Sequence, residues 1–359
     1  MTPKERAIRA LRREGPDKVP RDIPWGSFTP ELMNTFKEKT GATDPAEYFN
    51  YEVRMVSFKR PEHSNDFLKY FDTFPKDIKD NLSIDCWGTG RHKGSEHHFE
   101  RLIFPMQNLS SAYEIEKYPF PDFSNPAMFE HLKKETEAYH KRDLAVAGEL
   151  ACTIFEVSWG MRGMEELLMD FVTNPELAEV LLDKVTKIRI DQIIKYVNAG
   201  VDIIFLGDDV GQQTGLIMSP KTWREWLKPR TAQIISAAKN INPDILIFYH
   251  SDGSVKPIIP ELIEIGIDIL NPIQPECMDP KELKQLYGDK LSFWGTIGTQ
   301  TTMPFGTPTD VKNKIREMIQ SVGEGGGLFL APTHILEPEV PWENVIAFFE
   351  AIDEYGYYS

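Results

Sequence analysis

The spacing of apolar positions along the chain changes at about residue 144. Beyond it, short continuous apolar runs alternate with longer segments whose apolar residues recur every three or four positions. Continuous runs are typical of parallel strands buried on both faces, and the longer segments are typical of amphipathic helices. The predicted strands cover residues 144–150, 201–209, 245–253, 267–274, 291–298 and 327–334. This alternation predicts a parallel α/β fold.

Two of the helical segments carry boundary signals. The segments 175–200 and 308–326 both begin with proline and end with glycine, which stops a helix. The glycine-rich run 323–327 lies between a helix and a strand, which is the wrong side for a phosphate cradle. It therefore predicts a tight turn.

The first 140 residues follow a less regular pattern. Residues 19–27 are the candidate for the first strand, and residues 84–105 predict a β-hairpin with a glycine-containing loop. A helix is predicted at the N-terminus, where Thr2 is the cap, Pro3 lies in the first turn and Glu5 completes a capping box.

These elements predict one (β/α)₈ TIM-barrel domain over residues 1–359 with an N-terminal extension. Residues 1–140 would supply that extension, the first strand and the hairpin, and residues 141–359 the main barrel. An apolar content of 41% suffices for a large core. No internal repeat and no shift of composition marks a second domain.

Charge and cysteine content narrow the function classes. The formal charge of −15, with no basic stripe to offset it, argues against nucleic-acid binding. No apolar run is long enough to span a membrane. Cys86, Cys152 and Cys277 are too widely spaced for a disulfide framework, so a cytoplasmic location is expected.

Side chains that perform chemistry in a parallel barrel lie beyond the carboxyl ends of its strands. His250 and His334 each end a predicted strand and are the expected catalytic residues and metal ligands. The alternative is a structural histidine bonded into the strand–loop junction. Cys277 follows another strand and would complete a tetrahedral zinc site, unless it is a small buried apolar residue.

Other residues at the strand ends are candidates for substrate binding. Two tryptophans would line an aromatic pocket together with Phe28, although core packing is an equal alternative. His92, His97 and His98 lie in the hairpin, where surface positions are expected. The predicted substrate-binding residues are Trp25, Glu156, Trp159, Asp209, Gln213 and Asp252, of which Glu156 and Asp252 are alternatively a fourth metal ligand.

The C-terminal two-thirds of the chain resembles the uroporphyrinogen-decarboxylase-like superfamily. The resemblance is specific as a set of segments, and it implies the (β/α)₈ barrel that the periodicity predicts. The segments that carry it are 218–230, 248–272, 288–300 and 331–345.

The superfamily has two branches, and the residues distinguish them. Decarboxylases hold the acidic side chains of a tetrapyrrole with an N-terminal Arg-Gln-Ala-Gly-Arg motif. The corresponding stretch here, 21–36, keeps only Arg21 and offers Trp25 and Phe28 instead. Those decarboxylases also lack a histidine at the position of His250. Both differences point away from decarboxylation.

The second branch comprises corrinoid-dependent methyltransferases. Its thiol-methylating members bind zinc through a His-x-Cys pair and a later cysteine. His250 matches that histidine, Asp252 replaces the first cysteine, and His334 falls near the second. Oxygen and nitrogen ligands donate less charge than thiolates, so zinc remains a stronger Lewis acid, suited to an oxygen leaving group.

The resemblance therefore implies a zinc-dependent methyltransferase. It would move a methyl group from a small methylated substrate, such as an aromatic methyl ether, to the Co(I) cobalamin of a separate corrinoid protein. One alternative is a metal-free decarboxylase of a carboxylated ring compound, with Arg91 and Arg162 as candidate anion holders. Another is a non-catalytic corrinoid-binding protein that uses the barrel as a scaffold.

Overall fold

The computed structural model of the chain describes residues 1–26, 28–61, 65–72, 74–76, 79, 81–93 and 100–358. Within them, the main sheet has seven parallel strands, in the order β1-β5-β6-β9-β10-β11-β12. The strands in chain order are β1 (Val53–Val56), β2 (Leu82–Ile84), β3 (Gly90–Lys93), β4 (Glu100–Ile103), β5 (Ala145–Leu150), β6 (Ile203–Gly207), β7 (Gly211–Gln212), β8 (Gly215–Leu216), β9 (Leu246–His250), β10 (Ile269–Asn271), β11 (Ser292–Ile297) and β12 (Leu328–Pro332).

Helices connect successive strands of the main sheet, as in repeated β/α units. The α-helices are Pro3–Leu11, Pro30–Thr40, Pro45–Tyr48, Ala112–Glu116, Glu130–His140, Phe155–Arg162, Met164–Thr173, Pro175–Ala199, Pro220–Trp226, Lys228–Lys239, Ile259–Glu264, Pro280–Tyr287, Thr302–Phe305, Pro308–Ser321 and Trp342–Tyr355. Short 3₁₀ segments are Pro24–Gly26, Asn65–Phe71, Pro126–Met128 and Lys256–Ile258. None of the helices among the described residues has the length and apolar character needed to cross a bilayer.

A short N-terminal segment occupies the eighth strand position. Leu330 of β12 donates its N–H to the carbonyl of Pro20 and accepts from the N–H of Asp22, at 2.9 and 3.2 Å. On the other side, the N–H of Arg21 donates to the carboxylate of Glu52, directly before β1, at 3.0 Å. The segment thus lies between the last and first strands, and the fold is of the (β/α)₈ type that the sequence predicts.

The N-terminal third departs from the prediction at two places. The predicted strand 19–27 is reduced to one bridge at Arg21, since Pro20 and Pro24 have no N–H to donate. β1 was missed by the sequence analysis, because four residues including a buried arginine give no apolar run. That arginine, Arg54, donates to the carbonyls of Tyr51, Val53 and Ala46.

The remaining elements agree with their predictions. The last six strands of the main sheet lie inside the predicted ranges, and Thr2 and Glu5 form the predicted capping box. Pro175–Ala199 ends at Gly200 in a left-handed conformation. The predicted hairpin is the β3–β4 pair, extended by β2 into a three-stranded sheet. Its loop, with His97 and His98, falls outside the described residues.

Four aromatic rings fill the interior of the barrel. Phe205 stacks on Phe248 with ring centroids 3.8 Å apart, and Trp294 stacks on Phe329 at 3.7 Å. The two stacks meet edge to face at 5.3 and 5.4 Å. Leu11 of the N-terminal helix belongs to the same buried cluster. We call these four rings the aromatic plug.

A buried carboxyl group contacts the aromatic plug. Asp22 accepts a hydrogen bond of 2.9 Å from Nε1 of Trp294, and 8% of the residue is exposed. Burial raises the pKa of Asp22 to about 7, and the nearby Glu52 carboxylate contributes in the same direction. The ionised form is therefore disfavoured inside the barrel.

Truncation of the aromatic plug should destabilise the fold. Phe329 is fully buried, and we expect Phe329→Ala to lower the free energy of unfolding by about 3–5 kcal/mol, because it removes both apolar burial and a stacked ring. Phe305, which is 79% exposed, provides the matched control. Phe305→Ala should change the free energy by less than about 0.5 kcal/mol in the same urea titration. Equal effects of the two variants would contradict this assignment.

The pKa of Asp22 predicts a pH-dependent stability. Between its ordinary pKa of 3.8 and the folded value of about 7, the folded protein binds more protons than the unfolded chain. This carboxyl group therefore lowers stability progressively as the pH rises through that window. Asp22→Asn keeps an acceptor for Trp294 but does not titrate, so the stability of the variant relative to wild type should rise from pH 4.5 to 7.

The control for this measurement is an exposed aspartate. Asp310 accepts hydrogen bonds from Thr307 at a helix N-terminus, which hold its pKa below the ordinary value. Asp310→Asn should show no rise in relative stability over the same pH range. If the stability difference between Asp22→Asn and wild type is constant with pH, Asp22 does not titrate as described.

Candidate metal and substrate site

Three metal-capable side chains meet at the carboxyl ends of β6 and β9. His250 is the last residue of β9, Asp252 follows it, and Asp209 follows β6. Nε2 of His250 lies 3.5 Å from Oδ1 of Asp209 and 3.8 Å from Oδ1 of Asp252. One donor atom from each residue lies within 4.8 Å of the others, and among the described residues this is the group that fits a metal ion. We call it the His250 cluster.

Glycine makes this approach of the two strands possible. A Cβ atom on Gly207, the last residue of β6, would lie 2.7 Å from the Cβ of His250. The backbone of the following loop is fixed as well, because the N–H of Asp252 donates to Oδ1 of Asp209 at 2.8 Å. The carboxylate of Asp209 is therefore held beside the imidazole by a main-chain contact, and the same contact fixes the backbone of Asp252.

The imidazole of His250 is held from its other side. Its Nδ1 lies 2.5 Å from Oδ1 of Asn271, at the end of β10. The amide Nδ2 of Asn271 donates to the carbonyl of Trp294 in β11 at 2.8 Å. A histidine whose second nitrogen is bonded to an oxygen in this way is typical of metal ligands.

His334 and Trp25 complete the inner surface of the site. His334 follows β12, and its Nε2 lies 3.9 Å from Oδ2 of Asp252. The ring of Trp25 contacts both imidazoles edge to face, with centroids 5.3 Å from His250 and 5.2 Å from His334. Trp25 has a φ of 54°, a conformation that non-glycine residues rarely adopt and that is typical of functional sites.

The helix Phe155–Arg162 brings a further carboxyl group to the site. Asp208 is fully buried and accepts the N–H groups of Ile154 and Glu156 at 3.0 Å. Burial raises the pKa of Asp208 to about 6, against these hydrogen bonds. Glu156 in turn accepts the N–H of Asp209 at 3.1 Å. Burial, then the charges of Asp209 and Asp208, raise the pKa of Glu156 to about 8.

The carboxyl group of Asp252 is unfavourably placed among the described residues. Burial raises the pKa of Asp252, the carboxylate of Asp209 adds to the rise, and His250 opposes it. Oδ1 of Asp252 is buried and has no hydrogen-bond partner among the described residues. Buried acceptors without a partner are costly, so these atoms favour a bound cation.

The donor separations agree with the size of a zinc ion. Two ligands at about 2.0–2.1 Å from one tetrahedral zinc lie roughly 3.3 Å apart. The separations from His250 to Asp209 and Asp252, 3.5 and 3.8 Å, are close to this value. The residues of the His250 cluster therefore fit a zinc ion.

A cavity of about 600 Å³ opens beside the His250 cluster. Six of the predicted site residues line it, namely Trp25, Glu156, Trp159, Asp209, His250 and His334. A smaller cavity of about 210 Å³ is lined by Asp252 and again by His334. Most of the predicted site residues therefore lie on the wall of the large cavity.

Other predicted residues lie elsewhere. The thiol of Cys277 is 3.5 Å from Oε1 of Gln274, and it is not a member of the His250 cluster. Burial raises its pKa, followed by the charges of Glu276 and Asp252. The side chain of Gln213 donates to the carbonyl of Glu276 rather than lining the large cavity. The role of Cys277 as a zinc ligand stays a prediction.

Two predicted residues have structural roles instead: Phe28, which was expected in the aromatic pocket, and Arg162, a candidate anion holder of the decarboxylase alternative. Phe28 is buried against Phe36, with ring centroids 5.8 Å apart, and therefore lies in the core. Arg162 forms a buried ion pair of 2.7 Å with Asp170 and does not line the cavity. Arg91, the other candidate anion holder, does line it.

Several residues of the large cavity escaped the sequence analysis. They come from the irregular N-terminal third or from a helix, where no strand end marks them. Arg189, for example, stacks over the ring of Trp87 at 5.0 Å and donates to the carbonyls of Cys152 and Thr153. The residues missed are Arg60, Asp85, Cys86, Trp87, Thr89, Leu102 and Arg189.

Comparison with known proteins agrees with this architecture. The methylcobamide:CoM methyltransferase MtaA of Methanosarcina barkeri is 29% identical over 206 residues, which are 55% of this chain. The match spans 57% of the length of that relative. Uroporphyrinogen decarboxylase of Coxiella burnetii strain Dugway 5J108-111 is 23% identical over 98% of this chain and 95% of its own.

A solved structure and a family profile complete the comparison. A methyltransferase from Methanosarcina mazei superposes with a TM-score of 0.64 at 21% identity, covering 99% of both chains, which shows a shared fold. The profile of the family described as Uroporphyrinogen decarboxylase (URO-D) matches residues 108–355. The relatives of this chain include a methyltransferase and decarboxylases. The chain therefore belongs to the URO-D family.

Proposed function

We propose that this protein is a zinc-dependent methyltransferase. It transfers a methyl group from a small methylated substrate with an oxygen leaving group, such as an aromatic methyl ether, to the Co(I) cobalamin of a separate corrinoid protein. The observation that carries the proposal is the His250 cluster, in which an imidazole nitrogen and two carboxylates converge within 4.8 Å. A relative of this chain, the methylcobamide:CoM methyltransferase MtaA, takes a methyl group from a corrinoid, which supports a corrinoid partner here, whereas the direction of transfer is part of the proposal.

His250, Asp209 and Asp252 would hold the zinc ion. His334 is not a member of this group, although its Nε2 lies 3.9 Å from Asp252, and its role as a ligand stays a prediction. Carboxylate and imidazole are both ordinary zinc ligands. When bound, zinc would supply Lewis acidity that stabilises the negative charge on the departing oxygen. Asn271 and the backbone N–H of Asp252 keep the donor atoms in place without substrate.

The large cavity would bind the methyl donor. Trp25 and Trp159 provide flat apolar surface on its wall, which suits a ring-bearing substrate. Glu156 accepts a hydrogen bond from the backbone N–H of Asp209 and also lines the large cavity.

Removal of the imidazole tests the metal site. We expect His250→Ala to lower the zinc-to-protein ratio of chelator-free preparations from near one to near zero, because it deletes the central donor. His140→Ala is the matched control, since His140 also pairs with a carboxylate, Asp202, at 2.8 Å, but outside the cavity. That variant should retain full zinc. Full occupancy in His250→Ala would refute the assignment.

Removal of zinc tests the reaction. Treatment with a chelator should lower methyl transfer by orders of magnitude, because metal ions contribute several kcal/mol to the stabilisation of such charge. The measurement is the spectral change from Co(I) to methyl-Co(III) corrinoid protein with a panel of methoxylated aromatics, betaines and thiols.

The same assay tests the role of Cys277. Cys277→Ser should show an intermediate defect in methyl transfer if the thiolate is a zinc ligand, and almost none if it is not.

A decarboxylase is the second candidate, because Arg60 and Arg91 line the large cavity and can hold an anionic substrate. The decarboxylase from Coxiella also aligns over nearly the whole chain. If no methyl donor in the panel methylates any corrinoid protein, while a ring carboxylate releases carbon dioxide without metal, this function replaces the methyltransferase.

A further inference from the structure

We infer that Asn271 is a positioning residue that fixes the tautomer of His250 and so presents an unprotonated Nε2 to the two carboxylates. The inference concerns a residue outside the His250 cluster, and it depends on the proposed function only where zinc binding is measured. Asn271 is 6% exposed and His250 is 8% exposed, so water does not compete freely for either side chain.

The orientation of the Asn271 amide follows from its two partners. The carbonyl of Trp294 can only accept a hydrogen bond, so the NH₂ end of Asn271 must face it, as the 2.8 Å contact has it. The oxygen of the same amide then faces His250. Because that oxygen can only accept, the 2.5 Å contact requires a proton on Nδ1 of His250. In the neutral ring, Nε2 then carries the lone pair.

The carbonyl that orients Asn271 is held by an unusual stretch of β11. Gly295 and Thr296, directly after Trp294, have φ values of 129° and 77°. A left-handed β-branched residue is strained, and such strain persists where the surrounding structure requires it. A Cβ atom on Gly295 would collide with the carbonyl of Pro272, and Thr296 donates its N–H to that carbonyl at 3.0 Å.

These contacts join the end of β10 to β11. The residues of β11 with positive φ, Gly295 and Thr296, follow Trp294 directly and contact the carbonyl of Pro272, which adjoins Asn271. Asn271 is thereby held at both ends of its side chain, by β11 through its nitrogen and by β9 through its oxygen. The hydrogen bonds are donated in one direction, from Nδ1 of His250 to Asn271 and from Asn271 to the carbonyl of Trp294. This direction leaves Nε2 of His250, which lies 3.5 Å from Asp209, without a proton.

The direct test is the tautomer of His250 in the zinc-free protein. Long-range ¹H–¹⁵N spectra of ¹⁵N-histidine-labelled protein, at a pH where the ring is neutral, should show the proton on Nδ1. His250→Ala assigns the signals. A proton on Nε2 in wild-type protein would overturn the inference, and this measurement needs no variant of Asn271 to fold.

Variants then separate positioning from packing. Asn271→Ala should give a mixture of tautomers and weaken zinc binding about 10- to 100-fold, as measured by competition with a chromophoric chelator. Asn271→Asp keeps an acceptor for Nδ1 but loses the donor to the carbonyl of Trp294, so it should retain the proton on Nδ1 while lowering thermal stability. An unchanged tautomer in folded Asn271→Ala would also overturn the inference.

The matched control is another buried asparagine. Asn344 is 1% exposed and donates to the carbonyls of Met303 and Gly306 at 2.8 and 2.7 Å, outside the site. Asn344→Ala should lower thermal stability but leave the tautomer and the zinc affinity unchanged. If wild-type protein binds no zinc while the tautomer responds to Asn271 as stated, the positioning role stands and the proposed function fails.

Discussion

Trp294 connects the core of the barrel to its chemistry. Its ring forms part of the aromatic plug, its Nε1 donates to Asp22, and its carbonyl accepts from Asn271. Because the ring is stacked on Phe329 and fully enclosed, the carbonyl on the same residue has little freedom. The orientation of His250 is therefore inherited, through Asn271, from apolar packing in the barrel rather than from flexible loops.

The rigid packing around Trp294 supports a site in which four carboxyl groups lie unfavourably close together. Asp208, Asp209, Asp252 and Glu156 lie near one another at the carboxyl end of β6 and β9, and burial raises the pKa of three of them. Such a concentration of acceptors lowers the stability of the unliganded fold, as is common at functional sites. Packing of the aromatic plug and the backbone hydrogen bonds to Asp208 offset part of that cost. A cation at the His250 cluster would offset more, so metal binding and stability should be coupled.

The parts of the site that could be predicted from the sequence are those that the barrel itself arranges. Continuous apolar runs located β6, β9 and β12, and parallel strands end on one face, so Asp209, His250 and His334 were expected together. Spacing could not identify Arg60 or Trp87, because β1 and β2, the short strands that precede them, give no continuous apolar run. It also could not show that Gln213 turns toward Glu276, since the direction of a loop side chain depends on local hydrogen bonds. The candidate first strand failed for a related reason, because Pro20 and Pro24 leave it too few donors for a ladder.

The position of Arg21 bears on the choice between the two branches of the family. It is the one arginine kept from the stretch that holds acidic substrate groups in decarboxylases. Here its guanidinium pairs with Asp353 at 2.6 Å and lies over the ring of Phe349, and it does not line the large cavity. Trp25, which belongs to the same stretch, contacts both imidazoles of the site. In the stretch that resembles the anion-holding segment of decarboxylases, this chain thus uses its arginine in an ion pair and packs an indole against two histidines, and this difference supports the proposed methyltransferase over the decarboxylase.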